Sequence, residues 1–174
     1  PAAAPTVQLS KPHDNAQKQF EYCLRRYLAF NAGMDEVLTY SFEHDPTLEK
    51  LGVETDDRVT LRNAINAEMP AMRRHLGPNL LSALELNARR TSEIRLFELG
   101  RVWVGEEEPD RIGFVLSGRA LVHWGGERTW DFFDAKGLVE ALGAPFDTSS
   151  ASWRVPEDPA PYLHPGVQAE WVDG

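Results

Sequence analysis

Residues 60–103 read TLRNAINAEMPAMRRHLGPNLLSALELNARRTSEIRLFELGRVW, and the order of signals in this stretch decides the fold. Val59 and Leu61 give a short strand-like start, followed by a polar loop. Met69, Met72 and Leu76 then lead to Gly77-Pro78. A proline at this point has the fixed φ that suits the first turn of a helix. The helix that follows carries Leu80, Leu81, Leu84 and Ala88 on one face at spacings of three and four. Thr91-Ser92 interrupts it, and an apolar strand is predicted over 94–104. Glu98 lies inside that strand among Ile94, Leu96, Phe97 and Leu99. A buried carboxylate requires a cation or donor beside it. Arg73 is assigned as the partner, with Arg74 as the neighbouring candidate.

Before this stretch, residues 1–12 contain Pro1, Pro5 and Pro12 and are expected to form an extended linker. A chain opening Pro1-Ala2 without Met is expected to be a piece of a longer one. The organised domain is placed at 13–174. Asp14 or Asn15 can cap a helix over 15–32, with Gly33 as its stop. Its apolar residues Phe20, Cys23, Leu24, Tyr27, Leu28 and Phe30 spread over about 160°, wider than the stripe of about 100° that one core needs. Tyr22 lies on the far side beside Arg25 and Arg26. The width allows two readings: a helix deep in the domain, or one that packs on its own sheet and also on a partner chain. The candidate subunit-interface residues are therefore Phe20, Tyr22, Cys23, Leu24, Tyr27, Leu28 and Phe30. EVLTYSF, residues 36–42, reads as a strand, and Asp45-Pro46 opens a short amphipathic turn.

After the central stretch, GEEEPD is a turn, and residues 111–117 form another strand. A loop containing His123, Trp124 and Gly125-Gly126 follows. WDFFDAKGLVEALG, residues 130–143, is a helix with Asp131 as cap and Asp134 three positions on. Capping explains both aspartates, so neither is needed as an acid or base. Residues 153–161 read as irregular. Residues 167–171 alternate apolar and polar, as a strand does, and Asp173-Gly174 is a hairpin signal whose return strand is missing. The sheet is therefore expected to be incomplete at the C-terminal end.

The 174 residues suit one domain, 42% hydrophobic and 26% charged. A net charge of −9 argues against a surface that holds nucleic acid by neutralising phosphates. Cys23 is the sole cysteine, so no internal disulfide or thiol metal cluster is possible, and a cytoplasmic location is expected. No apolar run approaches the roughly 20 residues of a membrane span. Glycine-rich phosphate loops, HExxH and GxSxG are absent, and the histidines stand singly. No catalytic, cofactor-binding or metal-ligating residue is assigned. A hydrolase using Asp131 and Asp134, or His164, would need those groups to converge. From the residues alone the fold class is α+β, an antiparallel-leaning sheet flanked by helices.

A resemblance adds to this. Glu36-Val37 with Thr39-Tyr40-Ser41-Phe42, then Leu61 and Asn63, then Met72-Arg73, Leu76, Pro78, Leu80-Leu81 and Asn87 occur in a characteristic order. Leu96-Phe97-Glu98-Leu99-Gly100-Arg101-Val102-Trp103, the stretch 130–137 with Glu140, and His164-Pro165-Gly166 continue it. From about residue 18 onward the chain resembles the catalytic-like domain of bacterial phenylalanine–tRNA ligase β subunits. Ala64, Gly77 and Val167 depart from the family pattern. The resemblance implies the antiparallel sheet of class II aminoacyl-tRNA synthetases, with subunit contacts through the first helix and the strand after it. It also implies a catalytically silent copy. In the α subunit the comparable strand continues into an arginine that holds ATP phosphate, whereas here Val104-Gly105 follows. The implied setting is an α2β2 heterotetramer that attaches phenylalanine to its tRNA with ATP and Mg2+. In that setting this piece contributes assembly, no cofactor binds to it, and tRNA is held through other domains. The alternative is a free-standing paralogue serving as an interaction module.

Overall fold

The structure, a computed structural model, describes residues 14–120 and 126–172. The expected linker over 1–12, His13, the loop residues His123, Trp124 and Gly125, and the Asp173-Gly174 turn signal lie outside them.

The element order is α1 (Ala16–Arg26), a π-helical turn (Tyr27–Asn31), β1 (Asp35–Glu36), β2 (Phe42–Glu43), α2 (Asp45–Leu51), β3 (Ala71–Met72) and α3 (Gly77–Ala88). Then come β4 (Ile94–Arg101), β5 (Asp110–Ser117), α4 (Phe132–Gly143), β6 (Ser152–Arg154) and β7 (Glu170–Val172). The main sheet has the order β1-β4-β5. β4 and β5 form an antiparallel hairpin from Ile94↔Ser117 to Arg101↔Asp110, and β1 joins β4 in parallel. β2–β3 and β6–β7 form two further antiparallel pairs.

β4 is central because it can be buried on both faces. Ile94 and Leu96 meet Leu76 and Leu80 of the α3 segment on one side, with Val102 closing that core. Phe97 turns to the other side, onto Leu28 and Met34, with Leu138 and Leu142 of α4 packed against them. A strand covered on both sides reads as a near-continuous apolar run, as this one does. Helices thus lie on both faces of the sheet: α3 on one, and the end of the first helix with α4 on the other.

The first helix starts where predicted, with the Asn15 side chain accepting from the Lys18 N–H at 3.1 Å. Its last turn widens, so that the Ala32 N–H donates to Tyr27 O at 3.1 Å. A π-turn of this kind is uncommon in helices and re-aims the side chains that follow. Leu28 lies within this turn and in the core, and Gly33 then ends the run at φ 63°, a left-handed conformation that glycine adopts without a Cβ penalty. Leu28 is 0% exposed, so it is removed from the candidate subunit interface: its surface is already spent on Met34 and Phe97.

Other expectations need correction. Residues 36–42 are not one strand. The chain pairs with β4 as far as Val37, whose N–H donates to Phe97 O at 2.8 Å, and rejoins a sheet only at β2. The expected strand at residues 59–61 is reduced to a bridge between Thr60 and Ala71. Within 153–161, which lacked a strand pattern, Trp153 and Arg154 fall in β6. The strand expected over 167–171 forms only as β7, because Val167 N–H first closes a turn onto His164 O at 2.9 Å.

α4 is fixed at both ends. Asp131 accepts from the N–H groups of Phe133 and Asp134 at 2.8 and 3.1 Å, and Asp134 accepts from the Asp131 N–H at 3.0 Å. At the other end the Trp171 ring lies where a Cβ on Gly143 would stand. Trp171 stacks on Trp153 at 6.0 Å, and Trp153 Nε1 donates to Glu140 at 2.7 Å. Asp131→Ala is expected to cost about 1 kcal/mol, the usual cost of losing such a cap. Thermal denaturation followed by circular dichroism measures it. An unchanged midpoint contradicts the capping assignment.

Candidate assembly surfaces

Between residues 37 and 42 the chain crosses from one sheet to another, and a buried polar cluster fills the crossing. Glu98 and Arg73 are 1% and 3% exposed. Arg73 Nη1 lies 2.7 Å from Glu98 Oε1 and donates to Thr39 Oγ1 at 2.8 Å. Arg73 Nε donates to the Arg101 carbonyl at 2.9 Å. The Thr39 hydroxyl donates to Glu98 Oε2 at 2.7 Å, and the Thr39 N–H points at Glu98 Oε1 at 3.3 Å. Gly100 shares the Glu98 face of β4, and a Cβ there would overlap the Arg73 guanidinium. The glycine therefore leaves room for the guanidinium beside the strand.

The adjacent arginine does a parallel job. Arg74 donates through its backbone N–H and Nε to Glu43 Oε1 at 3.0 and 3.1 Å, and Glu43 is buried. Nothing in the local pattern marks Glu43 as buried. It alternates with an apolar neighbour in β2, a strand of two residues that is too short to show a period.

Above the first cluster lies an open groove of about 540 Å³. Leu38, Tyr40 and Phe42 form one wall, α3 residues Asn79, Ala83 and Leu86 the other, and Met69 and His44 close its end. Asn79 Nδ2 donates to Tyr40 O at 2.8 Å and so ties the two walls together. Leu38 and Tyr40 are 83% and 73% exposed, although both are large and apolar in character. The wall is hidden in the sequence because residues 36–42 have the composition of an ordinary strand.

The remaining candidate interface residues stay on the α1 side. Cys23, Tyr27 and Phe30 line a shallow dent of about 250 Å³, and Phe30 is 82% exposed. Phe20 meets Phe146 edge-on at 5.5 Å, Arg26 lies 5.7 Å over the exposed Tyr22 ring, and Leu24 is half-buried. Hydrogen bonding to Lys18 and also to Arg25 holds the Glu21 carboxyl below its ordinary pKa, and the Arg25 guanidinium reaches Glu36 at 2.7 Å. This charged row borders the aromatic face.

The far end of the β4–β5 hairpin is acidic. Val104 bridges to Glu107, and Glu106, Glu107 and Glu108 follow in sequence. Arg101, the cation nearest this end, is engaged by Glu108 at 3.3 Å and Asp110 at 3.5 Å. With Arg101 offset by carboxylates, this end is a poor match for the negative charge of a triphosphate. Among the described residues no three His, Cys, Asp or Glu side chains gather as a metal site, and none of the helices is long and apolar enough to cross a membrane. Asp131 and Asp134 serve the helix start, with Arg128 on Asp134, and His164 accepts from Gly166 N–H at 3.1 Å within its own turn.

The sheet with its helices is a class II aminoacyl-tRNA synthetase fold. A histidine–tRNA ligase subunit from Alicyclobacillus acidocaldarius superposes with a TM-score of 0.56 at 18% identity, covering 87% of this chain and 44% of that one. The pyrrolysyl-tRNA synthetase of Desulfitobacterium hafniense does so with a TM-score of 0.51 at 18% identity, covering 74% of this chain and 44% of that one. Within this class the chain belongs to the phenylalanyl-tRNA synthetase β chain CLM domain family, whose model matches residues 1–174. A phenylalanine–tRNA ligase β subunit from Thiobacillus denitrificans is 38% identical over all of this chain and 22% of the relative's length. One from Carboxydothermus hydrogenoformans is 34% identical over 86% of this chain and 20% of its own length. The chain thus spans about one-fifth of the length of these curated relatives.

Proposed function

We propose that this domain is a catalytically silent assembly module of a phenylalanine–tRNA ligase β subunit, and that it docks the α subunit of an α2β2 enzyme. In that enzyme ATP and Mg2+ act on the α side, tRNA is held mainly by other domains, and the whole works in the cytoplasm. The observation that carries the reading is the groove edged by Leu38 and Tyr40, two large exposed side chains that line one open surface together, the kind of contiguous patch that marks an interaction site. The aromatic face of α1 is a second contact region for the same partner. The neutralised hairpin end supports the silent role, because a transferring phosphoryl group needs positive charge that Arg101 cannot spare.

The test uses the full-length β chain co-expressed with its α subunit. Leu38→Asp and Tyr40→Asp are each expected to weaken α–β association about 30-fold, as loss of a central interface residue does. Association is read by analytical ultracentrifugation. Assembly unchanged by both substitutions overturns the reading. So does adenylate formation by the β chain without α.

A further inference from the structure

We infer that Thr39, held by Glu98 and Arg73, is a positioning residue that sets the backbone of residues 38–41 for docking. The inference rests on the docking reading above and adds how the docking wall is kept in shape. The segment leaves the β4 ladder after Val37, and its next backbone link to a strand is Arg73 N–H on Ser41 O at 3.0 Å. Between these points no backbone–backbone bond among the described residues holds Leu38, Thr39 or Tyr40. Side chains do that work instead. Glu98 takes the Thr39 hydroxyl at 2.7 Å and its N–H at 3.3 Å, Arg73 donates to the same hydroxyl at 2.8 Å, and Asn79 holds Tyr40 O at 2.8 Å.

Successive residues of an extended chain face opposite ways. Fixing Thr39 inward therefore fixes Leu38 and Tyr40 outward. Both are large and exposed, so nothing on their own side defines where they stand. Without the inward anchor the segment is a loop between two short strands, and ordering it at the moment of docking would reduce affinity. Thr39 accepts and donates at once, which a hydroxyl can do and a methyl cannot. The Arg73–Glu98 pair has a second role as structural support, so Thr39 is where the positioning role can be separated from it.

The full-length β chain carrying Thr39→Val keeps the shape and the β-branched backbone preference while losing the hydroxyl. In the free β chain, amide hydrogen exchange of the peptide covering 38–41 is expected to quicken about tenfold, with exchange in β4 and β5 changed far less. Affinity for the α subunit is expected to fall about tenfold. Thr39→Ser is expected to restore both. Unchanged exchange at 38–41 overturns the inference, and so does quickened exchange with wild-type affinity. Equal quickening across β4 and β5 also overturns it, since that marks general destabilisation. Leu38→Asp in the same binding assay reports separately on the docking reading. Normal assembly by that variant removes the docking reading, whereas the exchange result on the free β chain tests the anchor without the α subunit.

Discussion

Replacing Arg73 by Met is expected to lower stability by about 3–5 kcal/mol, because it leaves the Glu98 carboxylate buried without its cation. Glu98 is 1% exposed, and its two remaining protein contacts come from Thr39 alone. Thr39 cannot offset a full charge in that position. The converse change, Glu98→Leu, strands the guanidinium, which keeps its bonds to the Arg101 carbonyl and the Thr39 hydroxyl and so is expected to lose less. The double variant Arg73→Met with Glu98→Leu removes both charges. It is expected to be more stable than Arg73→Met alone, since two apolar side chains can occupy the site without a desolvated charge. Urea denaturation of all four forms makes a double-mutant cycle. A double variant that loses the sum of the two single losses would show that the pair is not coupled.

That pair also marks how far the sequence could be read. Glu98 inside an apolar strand calls for a buried partner, and the rule that such charges are paired points to Arg73 or Arg74, of which the structure places Arg73 there. The rule is local in chemistry, so it survives ignorance of the fold. The same holds for Asn15 and for Asp131 with Asp134, whose capping roles depend only on residues two or three positions away. What the sequence could not show were features set by distant segments. Residues 36–42 have the composition of a strand, but β4 accompanies them only to Val37, after which Glu98 and Arg73 take over the backbone. Leu28 falls on the same wide apolar face as Phe30, yet one is in the core and the other 82% exposed, a division set by where Met34 and Phe97 lie. Ser152–Arg154 pairs with Glu170–Val172 across a long loop, a contact no local pattern records. The Leu38–Tyr40 groove belongs to this second group. Each half is unremarkable in sequence, and the surface exists only because α3 is brought alongside and Asn79 ties the two together.

Phe97→Ala is expected to be comparably damaging, at about 3–5 kcal/mol, by a mechanism opposite to that of Arg73. No charge is stranded. Instead a large side chain, 0% exposed, is removed from the point where three elements meet. Phe97 packs on Leu28 from the π-turn and on Met34 just beyond it, with Leu138 and Leu142 of α4 against the same cluster. Its backbone carbonyl also receives the Val37 N–H that starts the crossing segment. The cavity left by Ala lies in the centre of the sheet, between helices that cannot close onto it without moving the strand, so relaxation recovers little. Phe97→Leu keeps most of the volume and is expected to lose under about 1.5 kcal/mol. The two variants separate cavity formation from mere loss of an aromatic ring, and equal losses from both would show that ring geometry, not volume, governs the site. Hydrogen exchange adds a spatial reading. If Phe97 is what couples the faces, the Ala variant loosens the π-turn and α4 together while α3, which rests on Leu76, Leu80 and Leu96 on the opposite face, keeps its protection. Loss of protection confined to β4 would mean that α4 is held instead by Trp171 over Gly143 and by the bond from Trp153 to Glu140, and that the helix and the sheet are stabilised separately.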